Sequence, residues 1–131
     1  MTSTASPLAG TSVLVVEDEY MIADDLVREL RGVGARVVGP AASLPQAMTL
    51  IADLPSPDVA ILDINLREIQ AYPLIDQLRA RAVQVLIASG YDALAIPERY
   101  RDLSRCEKPA SPQRVRQAVA DLLGEGARPQ E

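Results

Sequence analysis

The chain has 131 residues, a formal net charge of -5 and a hydrophobic fraction of 48%, which fit one globular domain and argue against collagenous, disordered and membrane-spanning classes. Histidine, phenylalanine and tryptophan are absent and Cys106 is the only cysteine. That excludes Ser-His-Asp and Cys-His catalysis, His-containing zinc sites, an intramolecular disulfide and an aromatic platform for single-stranded nucleic acid.

The acidic balance offers no footprint for nucleic acid, and no apolar run reaches the ~20 residues of a bilayer span, so neither is an expected partner. A single thiol suits a reducing, cytoplasmic location. Without Phe or Trp the core is expected to be aliphatic. Residues 1–11 carry no basic or apolar block of a signal peptide and read as a flexible lead-in.

From there apolar runs and amphipathic stretches alternate, the mark of an α/β domain. Ser12–Glu17 is a β-branched run suited to a strand buried on both faces. Tyr20–Val33 puts Ile22, Leu26, Leu30 and Val33 on one side, and Gly32 and Gly34 close the helix. Ala35–Gly39 is a shorter second strand. Ser43 and Gln46 match a capping box for a helix burying Leu44, Ala47, Met48 and Ile51, ended by Pro55 and Pro57. Asp58–Asp63 is the third strand, followed from about Ala71 by a helix with Leu74, Ile75 and Leu78 inward. Val83–Ala88 is the fourth strand. Between Tyr91 and Leu103 the periodicity is poor and Pro97 interrupts it, so any helix there is short or irregular. Leu103–Glu107 is a weak fifth strand. Ser111 and Pro112 open a last helix with an apolar stripe from Val115 to Leu123, and Gly124 onward reads as a tail. The expected fold is therefore a doubly wound (βα)5 parallel sheet over residues 12–124, with 125–131 a flexible tail and the ligand site at the carboxyl ends of the strands.

The residues at those ends are Glu17, Asp18, Asp63, Ser89 and Lys108. Three carboxylates on one rim repel unless a cation joins them, and oxygen donors without imidazole or thiolate select Mg²⁺. One acid is then free to act as a nucleophile, and Asp63 is the most central. Lys108 is the single Lys beside 12 Arg, and a compact ammonium suits a phosphoryl oxygen in a small pocket. Taken singly, each has a plain alternative: the acidic triplet as helix capping, Asp63 as a turn residue, Ser89-Gly90 as a loop start, Lys108 as a surface charge. Their joint placement favours a site.

With these motifs in view the sequence resembles a response-regulator receiver domain of two-component signalling, over residues 12 to 124. Leu14-Val-Val-Glu-Asp-Glu19 is similar to the receiver's acidic pocket, Asp58-Val-Ala-Ile-Leu-Asp-Ile-Asn-Leu66 to its phosphoacceptor strand, and Glu107-Lys108-Pro109 to its lysine and cis-proline. The resemblance implies a flavodoxin-like (CheY-like) sheet of order 2-1-3-4-5 and a phosphoryl group accepted on Asp63. It further implies Mg²⁺ held by Glu17, Asp18, Asp63 and the backbone carbonyl of Asn65, with Ser89 and Lys108 on the phosphoryl oxygens. Ile87-Ala-Ser-Gly-Tyr91 is similar to the Phe-Ala-Thr-Gly-Tyr of an atypical alphaproteobacterial subfamily. Arg105 stands where receivers carry a switch aromatic, and Ala110 where many carry Phe. The implied function is a stand-alone receiver that takes phosphate from a histidine kinase or histidine phosphotransfer protein and acts on a downstream protein, not an enzyme. The alternatives are a phosphorylation-independent pseudo-receiver, an aspartyl-nucleophile phosphatase, for which Asn65 lacks the required carboxyl, and a flavin carrier, whose phosphate the acidic loop would repel.

Overall fold

In the computed structural model, residues 8–66, 69–90 and 96–127 are described, apart from the side chains of Ser89 and of 125–127. Strand β1 (Ser12–Val16) leads to helix α1 (Tyr20–Gly32), β2 (Arg36–Ala41), α2 (Leu44–Asp53) and β3 (Val59–Leu62). Two two-residue strands, β4 (Asn65–Leu66) and β5 (Ile69–Gln70), precede α3 (Tyr72–Ala80) and β6 (Gln84–Ser89). A 3-10 turn (Glu98–Tyr100), β7 (Ser104–Glu107) and α4 (Pro112–Ala127) complete the order.

The main sheet is parallel with order β2-β1-β3-β6-β7, which is 2-1-3-4-5 once the small antiparallel β4-β5 pair is set aside. The chain leaves β1 for β2 on one side and returns to β3 on the other, so the carboxyl ends of β1 and β3 flank the switch in order. Alternation along each strand builds two cores. Leu14, Val16, Ala60, Leu62, Val85 and Ile87 pack under α2 and α3. Val13, Val15, Val59, Ile61, Leu86 and Ala88 pack under α1 and α4.

The helix ends show what glycine does here. Gly34, at φ +89, follows the α1 cap residue Val33. Its N–H donates to Arg31 O at 3.0 Å, and Ala35 N–H donates to Leu30 O at 3.1 Å, the paired bonds of a Schellman motif. α3 closes with the same bonds, Ala82 N–H to Arg79 O and Val83 N–H to Leu78 O, but its left-handed residue is Ala82 at φ 62. A Cβ in that region costs ~1–2 kcal/mol, partly offset by the extra freedom glycine has when unfolded. Ala82→Gly is therefore expected to stabilise the fold by roughly 0.5–1 kcal/mol in urea titrations, and a loss of stability would contradict this account.

Several elements differ from their sequence reading. Residues 8–11 are part of the packed body: Leu8 is 1% exposed, and Gly10 N–H donates to Gly34 O. α4 continues through Gly124 to Ala127, because Leu122 and Leu123 pack on the core and hold the last turns helical. β2 runs past Gly39 through a cis Gly39-Pro40 bond to Ala41, with a register shift opposite Leu14 and Val16. Ser43 Oγ accepts from Gln46 N–H as a cap should, but Gln46 Oε1 reaches back to Ala42 N–H.

The core is not wholly aliphatic. Tyr100, in the 3-10 turn, is 2% exposed and stacks on Tyr72 with ring centroids 4.5 Å apart. Its hydroxyl donates to Asp76 Oδ1 at 2.8 Å and accepts from Arg99. Arg105 lies exposed on β7, as a guanidinium should. Of the irregular stretch expected between Tyr91 and Leu103, residues 91–95 lie outside the described set, and the remainder holds the 3-10 turn.

Candidate functional site

Parallel pairing brings the acids together. Beyond β1, Glu17 N–H donates to Ala41 O at 2.9 Å, and beyond β3, Asp63 N–H donates to Val16 O at 3.0 Å, so both residues continue the ladder past the strand ends. Lys108 follows β7 and precedes Pro109 across a cis bond. Its ammonium donates to Glu17 Oε1 at 2.7 Å and to Asp63 Oδ2 at 2.9 Å. Asp18 completes the group: one carboxylate oxygen from each of Glu17, Asp18 and Asp63 lies within 4.8 Å of the others.

The remaining lone pairs are held by the local backbone. Glu19 N–H donates to Glu17 Oε2 and Asn65 N–H to Asp63 Oδ1, each at 3.0 Å. Both are contacts two residues along, in which a carboxylate orders the turn that follows it. Glu19 is the N-cap residue of α1, yet its side chain makes no capping bond. The Glu19 side chain is therefore not the cap of α1.

Glu17 is 5% exposed, and burial raises its pKa against the lowering effects of the Lys108 hydrogen bond and the Glu19 N–H. For Lys108 burial works against the ammonium, but the hydrogen bonds to Glu17 and Asp63 outweigh it and its pKa is raised. The raised lysine value contributes stability that is fully present below the ordinary lysine pKa and lost as pH rises through the raised value, whereas the raised Glu17 value marks a burial cost that sets in as pH rises through the carboxylate range.

Three carboxylates against one ammonium leave a net negative pocket whose donors are all hard oxygens. Such a set fits Mg²⁺, which takes one or two carboxylates and keeps water and phosphate oxygens for its other positions. Asp63, with 12% of its side chain exposed, is the acid placed centrally between Glu17, Asn65 and Lys108.

Of the residues expected from the sequence, Glu17, Asp18, Asp63 and Lys108 are brought together, and Asn65 sits beside them through its amide. Ser89 ends β6, the strand next to β3, with its backbone opposite Glu107; its side chain lies outside the described set. Sequence reasoning missed the amides of Glu19 and Asn65, for which the only signal was an acid two positions before each.

Comparison with known proteins bears on the family and the fold. The model for the response regulator receiver domain matches residues 13–120. The phyllosphere-induced regulator PhyR of Methylorubrum extorquens is 28% identical over 122 residues, 87% of this chain and 44% of that protein. The transcriptional regulatory protein PdtaR of Mycobacterium tuberculosis is 28% identical over 102 residues, 77% of this chain and 49% of that one. The chain thus spans about half the length of these curated relatives. Among solved structures, SdrG of Sphingomonas melonis Fr1 is 33% identical with a TM-score of 0.74, covering 90% of this chain and 98% of that one. The PhyR receiver domain of Erythrobacter litoralis aligns at a TM-score of 0.81 and 24% identity over 96% and 99% of the two chains. The PhyR matches agree with the atypical alphaproteobacterial pattern seen in Ile87–Tyr91.

Proposed function

We propose a phosphoacceptor function for this chain, which belongs to the response regulator receiver domain family. A histidine kinase or histidine phosphotransfer protein donates a phosphoryl group to Asp63, and the phosphorylated chain signals by binding a downstream protein. The observation that carries this reading is Lys108, whose ammonium bridges Glu17 and Asp63 while Asp18 lies within 4.8 Å of both. Receivers are signalling domains, and no turnover of a substrate is proposed. Among the described residues no helix is long and apolar enough to cross a membrane; a cytoplasmic site of action is part of the proposal.

Each residue has a role that its chemistry supports. The Asp63 carboxylate attacks phosphorus as the donor's phosphorus–nitrogen bond breaks, and the charge growing on the phosphoryl oxygens is met by the Lys108 ammonium and the Ser89 hydroxyl. Glu17, Asp18, Asp63 and the Asn65 carbonyl would hold Mg²⁺. When bound, that ion supplies positive charge for the phosphoryl oxygens. Glu17 also fixes Lys108, so the ammonium stays aimed at the reacting oxygen with little reorganisation.

The direct test is transfer of labelled phosphate from a phosphorylated histidine kinase or phosphotransfer protein to this chain. No transfer from any such donor, and none from a small phosphodonor, would leave the pseudo-receiver. A second test reads the metal. Mg²⁺ relieves repulsion among Glu17, Asp18 and Asp63 and binds the native state selectively, so the melting temperature should rise with its concentration by mass action, ~2.7 kcal/mol at a hundredfold excess over Kd. Asp18→Asn should raise the metal-free melting temperature and shrink the shift. An unchanged shift would show that Asp18 is not a ligand.

A further inference from the structure

Beside the acidic site, on the face of the sheet covered by α1 and α4, lies a cavity of about 420 Å³. Its floor is Val15, Ile61 and Ala88, all core residues of that face. The two helices are held together lower down, where Glu29 on α1 accepts from Arg116 Nε at 2.6 Å and from Gln113 Nε2 at 3.2 Å on α4. At the upper end they part. There Ile22 and Leu26 face Ala110 and Pro112, and side chains that small leave the space between them unfilled.

The walls are apolar and the charge is one-sided. Glu17 and Asp63 close the inner end with Lys108, which already serves both of them. Glu19 and Asp25, both exposed, stand at the mouth. The lining thus sets four carboxylates against one ammonium. The volume falls in the range of small-molecule sites, about 300–1,000 Å³, and is more than one inserted side chain fills.

We infer that this cavity binds a small organic cation, an ammonium or amidinium carried on an aryl or alkyl body. The body lies on Val15, Ile61 and Ala88 between the two helices, and the cationic head meets Glu19 and Asp25. Binding goes beyond the phosphoacceptor reading and does not depend on it. One consequence does rest on that reading: a cationic head at Glu19 and Asp25 adds positive charge to the cavity that Asp63 also lines and opposes Mg²⁺ electrostatically, so the bound ligand slows phosphorylation.

The test uses the full isotope-labelled chain, with phenethylamine as the probe and phenethyl alcohol as its neutral counterpart, followed by NMR. The expected result is saturable shifts at Ile22, Leu26, Ala110 and Val115, with the alcohol weaker by about tenfold. Ala110→Phe should take up the space beside Pro112 and lower affinity by at least about tenfold, and Asp25→Asn should lower it several-fold. Should Ala110→Phe fold poorly, Ala110→Leu serves the same purpose. The proposal is overturned if millimolar probe causes no saturable shift, if the alcohol binds as well as the amine, or if the Ala110 variant binds unchanged. Shifts confined to exposed Tyr20 and Met21 would also overturn it and point to a protein-docking face. Labelling of the wild-type chain without probe is scored separately, so its absence counts against the phosphoacceptor reading alone.

Discussion

Incubation with acetyl phosphate and Mg²⁺ should add one phosphoryl group to the wild-type chain and none to Asp63→Asn, read by intact-mass spectrometry. The bond broken is that between phosphorus and the acetate oxygen; the bond formed is to a carboxylate oxygen of Asp63, and acetate leaves with the electron pair. An amide at position 63 offers no anionic nucleophile, so the loss should be complete rather than partial. Equal labelling of both proteins would move the acceptor elsewhere. Lys108→Ala should slow labelling by roughly 10²–10³, the usual consequence of removing one preorganised donor from developing charge. Lys108→Arg should not restore the rate. The ammonium reaches Glu17 Oε1 at 2.7 Å and Asp63 Oδ2 at 2.9 Å from a side chain that is only 21% exposed, a space fitted to a point charge rather than a planar fork. Lys108→Ala also leaves the buried Glu17 without its partner, so the rate must be read below that variant's melting transition.

The strands of the main sheet and the four acid and ammonium groups of the site were legible because each has a one-dimensional signature. Val13 to Val16 and Val59 to Leu62 are continuous buried apolar runs, and the acids follow directly at their carboxyl ends. What escaped has its cause in tertiary contact. β4 and β5 are two residues each, shorter than any periodicity can register. Leu8 stands in a lead-in of mostly small and polar residues and is buried where the chain turns back to Gly34. Gly124 is permissive rather than helix-ending when leucines on the preceding turn are anchored. The cavity between α1 and α4 is a relation among Ile22, Leu26 and Ala110, residues far apart in the chain.

The Tyr72–Tyr100 pair escaped for the same reason, and it should be the largest single contributor to stability outside the aliphatic core. Tyr100→Ala is expected to cost about 3–5 kcal/mol in urea titrations, the range for emptying a fully buried aromatic site. Its ring lies 4.5 Å from Tyr72 and 4.7 Å from the Arg99 guanidinium, contacts that the truncation would remove together. Tyr100→Phe should cost less, about 1–2 kcal/mol, because the ring packing is kept, the hydroxyl's bonds to Asp76 and from Arg99 are lost, and Asp76 keeps its ion pair with Arg99 at 3.0 Å. That pair and Arg79–Asp102 are too exposed to add much. A double-mutant cycle through Tyr72→Ala should return a coupling of roughly 0.5–1.5 kcal/mol for the stack itself. The effect should reach the site as well. Ile64 and Leu66, which follow Asp63, belong to the same buried cluster as Tyr100, and the turn carrying Tyr100 leads into β7 and so to Lys108. Tyr100→Phe, which keeps the packing, should be phosphorylated by acetyl phosphate at close to the wild-type rate, whereas Tyr100→Ala should be slower even when fully folded at low temperature. Equal rates for the two variants would confine the aromatic pair to stability and detach it from the chemistry at Asp63.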